Sequence, residues 1–89
     1  MKVTVLYFAS LREQLGTGSE EVELPDGAST LAQLRVHLHA RGGAWQTVLG
    51  EARNVRVAVN QDMLPRADVQ SATIKAGDEI AFFPPVTGG

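Results

Sequence analysis

Cysteine is absent from the 89 residues, which removes disulfides, thiolate metal sites and any sulfur nucleophile supplied by a side chain. Sulfur handled by this chain must be carried on another group. Basic residues are few and scattered, eight Lys+Arg against ten Asp+Glu for a formal charge of -2, with no stripe to follow a phosphate backbone. Nucleic acid is therefore not an expected partner. The apolar run at Met1 to Ala9 is far too short to cross a bilayer and lacks the small-residue cleavage site of a secretory signal, so a cytoplasmic protein with no membrane partner is expected.

Sites inside the body are equally sparse. No Walker-type loop occurs, and Gly16-Thr17-Gly18 reads as a hairpin, so the chain is not expected to bind ATP or any other cofactor by itself. His37 and His39 point to different faces of a helix and have no third ligand nearby, so no metal site is expected. Ser10, Ser19, Ser29 and Ser71 lack a histidine partner in any recognisable motif. Glu20, Glu21 and Glu23 read as a solvated strand edge.

What is present is one small globular body, with 44% hydrophobic and 20% charged residues. Val3 to Ala9 is apolar at nearly every position and reads as a central strand, with Val3, Val5 and Tyr7 on one face and Leu6 and Phe8 on the other. Ser10 to Leu15 reads as a turn of helix closed by Gly16. Glu20 to Leu24 reads as a second strand with Val22 and Leu24 inward. Pro25-Asp26-Gly27 marks a turn, and Ser29 or Thr30 then caps a helix that carries Leu31, Leu34 and Leu38 on one stripe. Gly42-Gly43 is expected to end that helix in a left-handed cap, and Ala44 to Leu49 to form a short helical turn with Trp45 at the rim.

Arg56 to Asn60 reads as a third strand, followed by a tight turn at Gln61-Asp62 and a short extension at Met63-Leu64. Pro65 to Ile74 is an irregular crossing, and Lys75 to Asp78 turns into a last strand, Glu79 to Phe83, which Pro84-Pro85 terminates for want of N–H donors. This order predicts an α+β fold of β-grasp type, a mixed sheet of four to five strands clasping one main helix, with first and last strands parallel and adjacent. By alternation Phe82 joins Ile80 in the core, while Phe83 joins Leu6 and Phe8 outside. With Met63 they are expected to form an apolar docking patch.

The division expected is a folded body over residues 1–83 and an extended tail over 84–89. The sequence closes on Gly88-Gly89, where a free carboxylate with no side chain beside it is expected. Extended, residues 84–89 reach roughly 20 Å. Pro84-Pro85 favours a stiff polyproline II path, and the two glycines suit a channel too narrow for a Cβ. From Ile80 onward no side chain is charged. Such an end is suited to insertion into another protein.

The run Gly77-Asp78-Glu79-Ile80-Ala81-Phe82-Phe83-Pro84-Pro85-Val86-Thr87-Gly88-Gly89 resembles the C-terminal signature of the small subunits of molybdopterin synthase, which belong to the ubiquitin-like sulfur carriers. Similarity extends to Leu6-Tyr7-Phe8-Ala9-Ser10-Leu11-Arg12-Glu13 and Val57-Ala58-Val59-Asn60-Gln61, so it spans essentially the whole chain. The resemblance implies that an activating enzyme consumes ATP to adenylate Gly89, and that a persulfide on a sulfur donor protein converts the adenylate to a thiocarboxylate. The loaded tail, threading through Pro84, Pro85, Val86, Thr87 and Gly88, would enter the large synthase subunit and give sulfur to cyclic pyranopterin monophosphate, building the dithiolene. Acid and base groups would come from that partner, leaving this chain a non-catalytic donor. Phe8, Met63 and Phe83 would pack on the large subunit within a heterotetramer and, alternately, on the activating enzyme. Two other roles share the tail: a carrier for thiamine-type products, and a ubiquitin-like modifier joined through Gly89 to a lysine.

Overall fold

A computed structural model of the chain describes residues 1–50 and 55–84. Strand β1 (Lys2–Tyr7) alternates as its sequence requires, burying Val3, Val5 and Tyr7 and leaving Thr4 and Leu6 half-buried on the opposite face. The strand stops at Tyr7, two residues short of the expected end. Phe8 still donates its N–H to the Phe82 carbonyl at 3.2 Å. Ala9 then takes φ +51° and opens helix α1 (Ala9–Leu15), so the chain leaves the sheet there. Gly16 closes α1 in the left-handed conformation at φ +76°, as expected.

Strand β2 (Ser19–Glu23) returns antiparallel to β1, with Val3 opposite Val22. Helix α2 (Leu31–His39) begins at Thr30, whose hydroxyl accepts from Gln33 N–H at 3.2 Å while Gln33 Oε1 accepts from Thr30 N–H at 3.0 Å. This reciprocal box satisfies donors that a helix start otherwise leaves unpaired. Leu31, Leu34 and Leu38 are fully buried against the sheet, with Arg35 buried beside them. The expected Gly42-Gly43 cap is displaced: α2 ends at His39 with Ala40 still right-handed. Gly42 and Gly43, at φ +77° and +58°, instead turn the chain into helix α3 (Gly43–Gly50), which packs on α1 and α2. Two consecutive left-handed residues reverse direction without any Cβ clash.

Strand β3 (Arg56–Val59) and the two-residue β4 (Asp62–Met63) form a hairpin whose turn residues, Asn60 and Gln61, both have positive φ, +51° and +73°. That is a two-residue turn of the kind matched to strand twist, set one residue earlier than the sequence suggested. A short 3-10 turn (Arg66–Asp68) leads to strand β5 (Glu79–Phe83). The sheet order is β2-β1-β5-β3-β4, with β1 and β5 parallel and every other pair antiparallel. This is the β-grasp arrangement the element order predicted.

Asp78 ties the hairpin turn to the start of β5. Its carboxylate accepts from Asn60 Nδ2 at 3.0 Å and from Lys75 N–H at 2.9 Å, while Asn60 Oδ1 accepts from Glu79 N–H at 3.0 Å. Burial alone would raise the Asp78 pKa, but those donors outweigh it and hold the group below its ordinary value. The sheet edges are guarded. On β2, Glu21 and Glu23 face solvent, and β4 offers only two residues for pairing.

Leu34 lies at the centre of the leucine stripe with no exposed surface. Leu34→Ala is therefore expected to lower unfolding free energy by about 2 to 5 kcal/mol in a urea titration. A loss below about 1 kcal/mol would contradict the seating of α2 on the sheet.

Candidate docking face and tail exit

The geometry of interest starts from one register. Tyr7 and Phe82 are partners at the end of the parallel β1–β5 pair, and Phe8 and Phe83 come directly after them. Successive residues point to opposite faces, so this register places one aromatic contact on each side of the sheet. Inside, the Tyr7 and Phe82 rings stack with centroids 6.1 Å apart and planes 11° apart. Outside, Phe8 and Phe83 stack at 4.8 Å with planes 6° apart. Phe8 is 41% exposed, Phe83 half-buried.

The outer face extends from this pair. Cα register aligns Leu6, Ala81, Ala58 and Met63 in a row across β1, β5, β3 and β4, and sets Arg56 opposite Phe83 in the next row. Met63 is 50% exposed and lies in the row next to that of Phe83, two strands away across Ala58 and Ala81. Of the residues expected in the patch, Phe8 and Phe83 are thus brought into ring contact, and Met63 stands on the same face. Pro84, half-buried, comes next after β5. Pro85, Val86, Thr87, Gly88 and Gly89 lie outside the described residues.

Behind the patch stands a polar group that sequence reading missed. Tyr7 Oη donates to Glu20 Oε2 at 2.8 Å, and Arg41 grips both carboxylate oxygens of Glu20, Nη1 at 2.8 Å and Nη2 at 3.0 Å. The Arg41 guanidinium also lies 4.5 Å from the centre of the Trp45 ring, which meets Tyr7 edge-on at 5.3 Å. Glu20 is therefore not a freely solvated edge residue. The signal was in the parity: Glu20 is two residues before Val22 and four before Leu24, so it shares their inward face. Arg41 could not be paired with it from sequence, being 21 residues away.

These contacts set the charges. Burial, with the Glu20 hydrogen bond and charge behind it, pushes the Tyr7 phenol well above its usual range, so it remains a donor. For Glu20, burial acts upward, but the hydrogen bonds from Arg41 and Tyr7 prevail and leave its pKa below the ordinary value. The group thereby fixes α3 and the end of β1 together at the place where the tail departs.

A β-grasp body whose last strand runs out beside an exposed aromatic pair defines a ubiquitin-like protein, and comparison with known proteins narrows the class. The model of the ThiS family matches residues 5–89, and the chain belongs to that family. It is 44% identical over 87 residues to the molybdopterin synthase sulfur carrier subunit of Haemophilus influenzae, covering 98% of this chain and 99% of the relative. Among solved structures it is similar to a chain in a complex of subunits 1 and 2 of molybdopterin-converting factor from Helicobacter pylori, with TM-score 0.67, 25% identity and full coverage of both chains. It is also similar to the small archaeal modifier protein SAMP1 of Haloferax volcanii, with TM-score 0.75, 28% identity and full coverage of both chains. Among the described residues, no helix is long and apolar enough to cross a membrane.

A folded pKa below the unfolded value means that the Glu20 contribution is complete above pH about 4.3 and is lost as pH falls through the folded value. At neutral pH, Glu20→Gln is expected to cost about 1 to 2 kcal/mol, because charge-assisted bonds from Arg41 and Tyr7 are weakened together. As pH falls below about 4.3 the melting temperatures of wild type and variant should converge. Parallel curves in that range would show that Glu20 ionisation does not support the fold.

Proposed function

We propose that this chain is the sulfur carrier subunit of a molybdopterin synthase. The observation that carries the reading is positional: β5 ends at Phe83 in the middle of the sheet, beside the partly exposed Phe8–Phe83 stack, so the chain passes to Pro84 from within that face. A partner seated on that face receives the tail without reorganisation of the body. The near full-length similarity to a protein of that name in Haemophilus influenzae supports the same conclusion.

The chemistry stems from the lack of cysteine and from a terminal glycine. In this reading the Gly89 carboxylate attacks the α-phosphorus of ATP held by an activating enzyme, releasing pyrophosphate and leaving a glycyl adenylate. The terminal sulfur of a donor persulfide displaces AMP to form an acyl disulfide. A donor thiol then releases the thiocarboxylate and leaves the donor as a disulfide. The loaded tail enters the large synthase subunit, where that subunit's acid and base groups direct sulfur to cyclic pyranopterin monophosphate and water restores the carboxylate. Two loaded carriers complete one dithiolene, which suits a heterotetramer of two small and two large subunits. The body serves as an address label read in turn by the activating enzyme and the large subunit, through Phe8, Phe83 and Met63. Exchange in the cytoplasm between two partners favours moderate affinity for each. Similarity to SAMP1 favours a second role, in which the activated Gly89 acylates a lysine of a target protein.

Two measurements test this. Intact mass after incubation with the activating enzyme, ATP and a persulfide donor should show one oxygen exchanged for one sulfur. Deleting Gly89 should abolish that exchange and leave the melting temperature unchanged; sulfur gain by the shortened chain would reject the mechanism. Phe83→Asp should weaken calorimetric association with the large subunit by roughly thirtyfold or more, with circular dichroism unchanged. Wild-type affinity in that variant would remove Phe83 from the interface, and isopeptide-linked conjugates in cells without thiocarboxylate would select the modifier role.

A further inference from the structure

An apolar patch attracts without direction, because burial of apolar area is insensitive to rotation about the contact normal. Delivery of a tail is not insensitive to it. A partner rotated by half a turn on the same face would bury similar area and place its pocket on the wrong side. Something on the face must distinguish the two poses, and its margins carry charges that the fold itself does not use.

On the margin away from the tail, Thr4 is flanked by Glu21 of β2 and Glu79 of β5, all three outward in one row. Two strand spacings put these carboxylates roughly 10 Å apart. The other acids of β2 are engaged, Glu20 with Arg41 and Glu23 with the amino terminus at 3.0 Å. Glu21 and Glu79 have no side-chain partner among the described residues. Lys2 lies one row further out, opposite Glu23. The margin as a whole sets Glu21, Glu23 and Glu79 against Lys2 and the amino terminus, and stays negative. On the tail margin, Arg56 sits opposite Phe83. Among the described residues, its Nη2 has a long 3.5 Å contact to the Leu64 carbonyl and its Nε finds no acceptor. Four strand residues, about 13 Å, separate the Glu79 row from the Phe83 row, with Leu6, Ala81, Ala58 and Met63 between them.

We infer that these opposed margins fix the pose of the partner: the face fits a protein surface that is apolar at its centre, acidic at the mouth of its tail pocket and basic on the opposite flank. Seated correctly, the partner sets an acid against Arg56 and cations against Glu21 and Glu79. Rotated by half a turn, it opposes like charges at both margins, which rejects the unproductive pose. Arg56 and Glu79 are thus specificity-determining residues for orientation, while the apolar centre supplies adhesion. This rests on the carrier reading above, and the test separates the two.

The test measures association of the full chain with the large subunit of molybdopterin synthase from the same organism, by stopped-flow at low and at high salt. Arg56→Glu and Glu79→Lys are each expected to slow association at least about fivefold at low salt, a difference that disappears near 1 M salt where screening acts within about 3 Å. If a reversal fails to fold by circular dichroism, Arg56→Gln and Glu79→Gln carry the same comparison, each with a slowing of roughly twofold. Variants that associate at the wild-type rate at low salt would overturn the orientation inference while leaving the carrier function in place. Absence of binding by the wild-type chain would overturn the carrier reading itself, and the inference with it.

Discussion

The parallel pairing of β1 with β5 is the constraint on which the rest depends. It brings the beginning and the end of the chain side by side in the centre of the sheet and registers Tyr7 with Phe82. A parallel pair cannot be closed by a tight turn, so the chain between the two strands must cross over, and its helices cover one face. Helices α1, α2 and α3 all fall on that side, and the leucines of α2 seal it. Among the described residues, no helix covers the opposite face. An exposed sheet face is thus a consequence of the topology, and its apolar end marks where that topology is put to use.

Aromatic residues on both sides of one register then join stability to presentation. Tyr7 and Phe82 anchor the strand ends from within, and Phe8 and Phe83 lie against each other outside. The outer pair is held by the inner one, since each exposed phenylalanine is the next residue along from a buried ring. Ala9 contributes to the same geometry: a non-glycine residue at φ +51° costs energy, and it is retained where the chain must leave the sheet immediately after Phe8. The Tyr7–Glu20–Arg41–Trp45 group reinforces the inner anchor, linking β1, β2 and α3 through one carboxylate.

Features written in local order were readable from sequence. The capped leucine helix, the alternating strands and the outward turn of Phe83 depend on spacing within a few residues, and each stands where its pattern put it. What could not be read depends on distant partners or on conformations that composition does not announce. Arg41 meets Glu20 across 21 residues of chain, and alanine gives no hint of a left-handed conformation at position 9. The Gly42-Gly43 pair was recognisable as left-handed backbone, but whether it closes α2 or opens α3 depends on where α3 packs. Met63 stands on the face expected for it, and the row that joins it to Leu6 through Ala58 and Ala81 follows only once β5 is known to lie between β1 and β3.

The end of β5 brings these threads together. Arg56 to Phe83 is the last register pair of the β3–β5 ladder, and the next residue is proline, which cannot extend the ladder through an N–H. A residue able to donate there would let the sheet draw more of the chain into a longer strand, and the tail would then belong to the fold. Proline opposes this at the strand end, where the described pairings of β5 with β1 and β3 also stop, at Tyr7 and Arg56. Among the described residues, β5 ends at Phe83. Under the proposed carrier role, a strand that stops at Phe83 would let the chain beyond it be altered, inserted and released while the interactions that stabilise the body stay constant.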